Sequence, residues 1–168
     1  MIKKSNLLVT IFVTVGVVTR LIPHPPNLTA IGAVALFGGA LYLDKKISLI
    51  IPIIILAVSD FILGFQMNIS VYFSFILIVL LGFNLRQKLT FKNIISYSIF
   101  SGLIFYFVTN LFVFLGSTYY SQDIYGLITC YTLALPFLTN TILGNLLYSL
   151  AMFYSFKYVH KNINVISL

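Results

Sequence analysis

Long apolar runs separated by short polar turns make up most of the chain. Each run approaches the roughly 20 residues that an α-helix needs to cross a hydrocarbon layer. Prolines and polar turns divide the pattern into six runs, which predict six transmembrane helices. The predicted helices cover residues 7–22, 28–43, 47–65, 69–85, 93–115 and 136–158. Residues 116–135 are too polar to span, so we expect an interfacial loop there with a short helix and tyrosines at the membrane surface.

The composition indicates that lipid is the main solvent of this chain. Of the 168 residues, 60% are hydrophobic and 8% are charged, and the mean hydropathy is +1.07. No water-exposed surface can be built from so few polar residues. The sequence therefore predicts an all-α integral membrane protein that forms a single transmembrane domain over residues 1–168, with the lipid bilayer as its first partner.

The positive charges predict the orientation of the six helices. With the N-terminus inside, nine of the ten Lys and Arg residues fall on inner segments, and Arg20 alone falls outside. This asymmetry follows the positive-inside rule and predicts an N-in/C-in protein of the bacterial inner membrane, multi-pass. Because the bases are scattered, nucleic acid is not an expected partner. Lys3 and Lys4 before an apolar run resemble a signal peptide, but no cleavage site follows closely, and we expect a retained first helix.

Asp60 is the most informative polar position, because a carboxylate in hydrocarbon costs a few kcal/mol and needs a partner or water. The predicted orientation places Arg20 at a comparable depth near the outer end, so an Arg20–Asp60 ion pair is expected. Two interpretations stay open. The pair locks helix 1 to helix 3, or Asp60 lines a ligand cavity that faces outward.

Other polar residues gather in the predicted outer half of the bundle. His24 lies in a Pro-His-Pro-Pro segment, whose stiff backbone would hold the imidazole in place for a ligand or for the metal of a cofactor. No metal site of the protein's own is predicted. The predicted substrate-binding residues are Arg20, His24, Asn27, Asp60, Tyr72, Asn110 and Asn140.

Small residues mark one face of predicted helix 2. Gly32, Ala35 and Gly39 follow one another at i, i+3 and i+7, a pattern that lets helix backbones approach closely in membranes. Their partner helix could belong to this chain or to another protein. Cys130 is the single cysteine, and a buried, inert thiol is favoured over a ligand.

Several motifs resemble a family of small six-helix bacterial membrane proteins. They are Arg20-x-x-Pro-His-Pro-Pro-Asn27, Ala33-x-Ala-Leu-Phe-Gly-Gly39, Ser59-Asp60-x-x-x-Gly64, Tyr72-x-Ser-Phe-x-Leu-Ile-Val-Leu-Leu-Gly82, Thr109-Asn110, Cys130-Tyr-x-x-Ala-Leu-Pro-Phe and Asn140-Thr-x-Leu-Gly-Asn145. The resemblance covers nearly the whole chain, although that family commonly has Asp at the position of Asn145. The family is in turn similar to the substrate-binding S-components of energy-coupling-factor (ECF) transporters, and nearest to those that transport cobalamin without a shared module.

The resemblance implies a six-helix bundle with a vitamin-sized cavity open to the outside. In cobalamin-type members a loop histidine and a helix-3 aspartate approach the corrinoid, and His24 and Asp60 match those positions. Those members can also carry a decyanating cysteine just before helix 4, where residues 66–75 of this chain have none. Cobalamin is accordingly implied as a transported ligand and not as a resident cofactor. The resemblance also implies a protein partner, an ECF-type ATPase module, unless the protein acts alone.

Two functions are predicted from these features. The first is a membrane transport subunit that captures a small organic micronutrient, with cobalamin as one candidate. The second is a non-transporting membrane scaffold or assembly subunit that packs through the Gly32/Ala35/Gly39 face. An enzyme is not expected, since three acids and one thiol leave little for acid–base or nucleophilic chemistry.

Overall fold

Seven α-helices form the fold in the computed structural model, which describes residues 2–42 and 44–161. No strand occurs in these residues. The helices are α1 (Ile2–Leu21), α2 (Ile31–Leu41), α3 (Lys45–Leu63), α4 (Ile69–Leu85), α5 (Phe91–Gly116), α6 (Ile124–Leu133) and α7 (Leu135–Lys161). Helix α4 has the predicted bounds, and α1, α3, α5 and α7 differ from their predicted ranges by a few residues at one or both ends.

Side-chain caps explain where several helices begin. Asp44 accepts hydrogen bonds from the backbone N–H groups of Lys46 (2.8 Å) and Ile47 (3.3 Å), so α3 begins earlier than predicted. Asn68 caps α4 and Thr90 caps α5 in the same way. At the other end of α3, Gly64 has a left-handed backbone with φ of 70°, which ends the helix before the predicted residue 65.

Helix α2 is the centre of the bundle. Every residue from Ile31 to Ala40 is buried, and α2 packs against α1, α3, α4, α5 and α7. It begins at Ile31 and not at residue 28, because the chain first turns at Pro25, whose carbonyl accepts the N–H of Leu28 (3.0 Å). Its predicted end at residue 43 lies outside the described residues.

Two long helices carry the strongest membrane signature among the described residues. Helices α3 and α5 are each long and apolar enough to cross a membrane. Helices α6 and α7, bent by 47° at their junction, make a third span if they are taken together. Helices α2 and α4 are apolar but shorter. Of the six predicted spans, two or three are therefore supported by length and composition.

Residues 116–135, predicted as a polar loop with a short helix, contain α6. Asp123 caps this helix by accepting from the N–H of Gly126 (2.8 Å). Helix α6 packs on α5, where the hydroxyl of Tyr106 donates to the carbonyl of Tyr131 (2.5 Å) and the hydroxyl of Tyr131 donates to that of Phe107 (2.8 Å). Tyr131, one of the tyrosines expected at the membrane surface, thus joins α6 to α5.

Candidate functional site

A cavity of about 420 Å³ lies where α1 and α3 end and where α2, α4 and α7 begin. Its walls combine a large apolar surface with a few polar side chains, as small-molecule sites commonly do. The apolar lining includes Ile31, Leu56, Leu63, Phe65, Val71, Phe75, Ile78 and Phe105. The polar lining consists of Arg20, His24, Asn27, Thr29, Thr141 and Asn145.

The predicted ion pair is present beside this cavity. Nη2 of Arg20 lies 2.5 Å from Oδ1 of Asp60, and the two side chains are 17% and 6% exposed. The hydroxyl of Tyr72 donates to Oδ2 of the same carboxylate (2.9 Å). The pair and the tyrosine join α1, α3 and α4 at one point.

Arg20 is held by further bonds to α3. Its Nη1 donates to Oγ of Ser59 (2.7 Å) and to the carbonyl of Leu56 (3.3 Å). A guanidinium with this many partners has its charge compensated and its orientation fixed. Arg20 therefore forms a neutralised wall of the cavity.

Asp60 and Tyr72 lie on the far side of that wall. A neighbouring cavity of about 330 Å³ is lined by Arg20, Asp60, Phe65, Gln66, Asn68 and Val71. Asp60 thus borders this smaller space, whereas the larger cavity meets its partner Arg20. Tyr72 is buried against the carboxylate and lines neither cavity among the described residues.

Residues 22–30, between α1 and α2, form a lip over the larger cavity. His24 is half-buried there, and its Nδ1 lies 2.7 Å from the carbonyl oxygen of Ile22. Because a carbonyl can only accept, Nδ1 carries the proton of this bond, and Nε2 remains as the ring atom for another partner. Asn27 also lines the cavity, and its φ of 66° is in the left-handed region.

Asn140 acts on the lip from α7. Its Nδ2 donates to the carbonyl of Pro26 (3.0 Å). Position 144 adds a close approach, since a Cβ on Gly144 would lie 3.3 Å from the backbone N and O of Thr29. Asn140 was predicted to bind substrate, but the structure places it as a tether that holds the lip against α7.

Asn110 was also predicted on the cavity wall and is found elsewhere. Its Nδ2 donates to the carbonyl of Tyr106 in its own helix (2.8 Å), and Sγ of Cys130 lies 3.7 Å from its carbonyl oxygen. Asn110 is absent from the described residues that line either cavity. Asn110 belongs to the contact of α5 with α6, in which Cys130 is 1% exposed.

Thr29, Thr141 and Asn145 are the polar wall residues that were not predicted as binding residues, and the last two lie on α7. Asn145 is 3% exposed and its Nδ2 donates to Oγ of Ser101 (2.8 Å). Thr141 is buried one helical turn earlier, so the two side chains share a face of α7. The available signal was the i, i+4 spacing of these two polar residues in α7.

The small-residue face of α2 is covered by other helices of this chain. A Cβ on Gly32 would collide with Oδ1 of Asn145, and one on Gly39 would collide with the carbonyl of Val79 on α4. Gly82 faces α2 in return, where a Cβ would lie 2.5 Å from the carbonyl of Leu36. Ala35 is fully buried. An external partner would have to displace α4 and α7 to reach this face.

Metal ligands do not cluster in the described part of the chain. Residues 2–42 and 44–161 contain no group of three His, Cys, Asp or Glu side chains placed to hold a metal ion. At the cavity, His24 offers a single imidazole nitrogen. It could supply one ligand to a metal that arrives within a cofactor.

Comparison with known proteins gives a family and no activity. No curated protein and no solved structure matches the chain. A family model described as a family of unknown function matches residues 1–166, which is almost the entire sequence. These comparisons show no link to the S-components of ECF transporters, so that resemblance stays a prediction. The chain belongs to the family of unknown function DUF6580.

Proposed function

We propose that this protein is an S-component-like membrane transport subunit that captures a small organic micronutrient in the cavity beside Arg20. The observation that carries the proposal is the cavity itself, about 420 Å³ with mainly apolar walls and several fixed polar groups. Volumes of roughly 300–1,000 Å³ with such walls are typical of small-molecule sites. The proposal includes six spans, with N-terminus and C-terminus inside a bacterial inner membrane.

The distribution of charge supports this arrangement. Basic residues gather at the helix ends opposite the cavity, at the start of α3, after α4, at the start of α5 and near the end of α7. They are Lys45, Lys46, Arg86, Lys88, Lys92 and Lys157. Under the positive-inside rule this end faces the cytoplasm. The cavity then faces outward, where a nutrient is met.

The shortness of α2 supports a water-filled cavity. Eleven residues span about 16 Å at 1.5 Å per residue, roughly half of a 30 Å hydrocarbon core. On the outer side of α2, the lip (residues 22–30) continues the chain as non-helical backbone. Such backbone is tolerated at membrane depth only where protein buries it or where it borders a water-filled space. The outer half of this span is therefore an entrance to the cavity and not a lipid-facing helix.

The cavity favours a ligand smaller than cobalamin. A corrinoid with its nucleotide tail exceeds drug size, while about 420 Å³ lies near the lower end of the range for drug-sized ligands. A corrinoid would have to remain partly in the mouth, where Nε2 of His24 would be its candidate metal contact. Release inward requires movement of the helices, driven by an ECF-type ATPase module or achieved by the protein alone.

The test combines access with ligand identification. In a Cys130→Ala background, Leu63→Cys places a thiol in the cavity wall. A membrane-impermeant thiol reagent added from outside should label it in intact cells. Leu89→Cys, an exposed position at the opposite end, is the matched control and should stay unlabelled. Equal labelling of both, or of neither, would refute an outward-facing cavity.

The ligand is then sought directly. Mass spectrometry of small molecules extracted from the purified protein should show a compound enriched over the Leu63→Trp variant, whose larger side chain narrows the cavity. For the corrinoid version, equilibrium binding of cyanocobalamin in nanodiscs and growth rescue of a cobalamin-uptake mutant are decisive. Absence of binding by any corrinoid would refute that version alone.

A further inference from the structure

The polar wall contributed by α7 presents hydrogen-bond acceptors to the cavity. Thr141 and Asn145 both line it and both are more than nine-tenths buried. The Thr141 hydroxyl donates its hydrogen to the carbonyl of Phe137 (2.7 Å), so its oxygen keeps only lone pairs for a ligand. One partner of any molecule in the cavity is thus an acceptor.

The orientation of the Asn145 amide is fixed by its neighbours. Oγ of Ser101 donates to the carbonyl of Ser98 (2.7 Å), so this hydroxyl must accept from Asn145. The group directed at Ser101 is therefore the NH₂, and the carbonyl oxygen Oδ1 lies on the other side. There it rests against Gly32, another wall residue, where a carbonyl meets the Cα hydrogens more favourably than an NH₂ would.

Oδ1 of Asn145 accepts no conventional hydrogen bond within the described residues. A carbonyl oxygen that no donor of the protein engages is left for an occupant of the cavity that supplies an N–H or O–H group. Two acceptors one turn apart match a ligand that carries an N–H or NH₂ group at its buried end.

The rest of the wall restricts the ligand further. Arg20 is paired with Asp60, and the cavity therefore offers no uncompensated guanidinium to an anion. Phe75 and Phe105 stand together with ring centroids 5.4 Å apart, and Phe65 adds a third ring to the lining. Aromatic walls favour flat rings.

We infer that the cavity recognises a neutral heteroaromatic molecule whose N–H donor is read by Thr141 Oγ1 and Asn145 Oδ1. This inference rests on the proposed function, because it assigns a ligand class to the same cavity. An anionic carboxylate at the buried end would meet two acceptors and is rejected.

Matched probes test the inference on the full-length protein in nanodiscs. The pairs are nicotinamide with N,N-dimethylnicotinamide and benzimidazole with 1-methylbenzimidazole, and nicotinate supplies the anion. Binding is measured by saturation-transfer NMR and by protection of Leu63→Cys from a thiol reagent. We expect each N–H form to bind at least about tenfold more tightly than its methylated partner, and nicotinate to bind more weakly than nicotinamide.

Variants of the two acceptor residues test whether they cause the preference for the N–H probes over the methylated ones. Thr141→Val and Asn145→Leu should reduce the preference for the N–H form to less than about twofold. Asn110→Leu, an asparagine outside the cavity, should keep it. Should Asn145→Leu fail to fold, Thr141→Val and the comparison of probes on the native protein still decide.

The outcomes separate this inference from the proposed function. If methylated and N–H probes protect Leu63→Cys equally, the cavity binds small molecules but donor recognition is refuted. If the reagent reaches the thiol of Leu63→Cys but no probe protects it, the heteroaromatic ligand class is refuted, while the outward-facing cavity stands. If Leu63→Cys is unreachable from outside, the proposed function fails as well.

Discussion

Arg20 and Asp60 are far apart in the sequence, yet their side chains form an ion pair with a 2.5 Å contact. This pair joins the end of α1 to the end of α3. Breaking such a pair by removing one member leaves a buried charge, which costs about 3–5 kcal/mol. We expect Asp60→Leu and Arg20→Met each to lower the free energy of unfolding by about this amount, measured by denaturation in detergent.

The double variant Arg20→Met/Asp60→Leu should be more stable than either single variant, because it leaves no unpaired charge. Tyr72→Phe is a milder control that removes one hydrogen bond to the carboxylate, at a cost of about 1–2 kcal/mol. Additive losses in the double variant would contradict a coupled ion pair.

Loss of the Asn140 tether should loosen the lip. Asn140→Leu removes the donor to the Pro26 carbonyl, worth about 1 kcal/mol, which corresponds to about a fivefold shift in an open–closed equilibrium. Labelling of Leu63→Cys from outside should become faster by that factor. Thr139→Val, whose hydroxyl bonds within its own helix, should leave the rate unchanged. An unaltered rate in Asn140→Leu would show that the lip does not control access.

Close backbone packing of α2 on α4 should make two glycines intolerant of a methyl group. A Cβ at position 39 or 82 would meet backbone carbonyl oxygens, which cannot move as a flexible side chain would. Gly39→Ala and Gly82→Ala should each destabilise by about 1–3 kcal/mol. Gly116→Ala is the control, since nothing lies within 4 Å of its added Cβ. Thermal unfolding of the three variants in nanodiscs checks this, and equal melting temperatures would refute the contact.

The start of α6 should depend on pH through Asp123. Hydrogen bonds from the Gly126 N–H and the Ser121 hydroxyl hold the pKa of this carboxyl below its ordinary value. A lowered folded-state pKa means that the stabilisation is present above the ordinary pKa and is lost as pH falls through the folded one. Exchange of the α6 amides, corrected for intrinsic rates, should accelerate below about pH 4. Asp123→Asn should remove that pH dependence, and its persistence would implicate another group.

The sequence predicts the part of the site that depends on the free-energy cost of a charged side chain in lipid. Asp60 required a partner, and the charge asymmetry placed Arg20 at the same depth, so their pair followed from sequence. The faces of the long helices did not follow, because α5 is apolar nearly all round. Asn110 could therefore be given a depth but not a neighbour.

Long-range hydrogen bonds account for the other differences. Asn145 lines the cavity in an orientation set by Ser101, 44 positions away. The backbone N–H of Ala30, just before α2, bonds to the hydroxyl of Thr19 on α1 (3.1 Å). The turn at Pro25 also moves the start of α2 toward the C-terminus. Neither relation leaves a local pattern in the chain.

The C-terminal end of helix α2 is held by side chains from outside the helix. Ser48 on α3 donates to the carbonyl of Gly38 (3.0 Å), and Arg86 after α4 donates to the carbonyls of Gly39, Ala40 and Tyr42. The Arg86 bonds exist only after α4 has been synthesised, and α2 has almost no surface left for lipid. During biogenesis the place of the central helix is therefore secured by helices that are made after it.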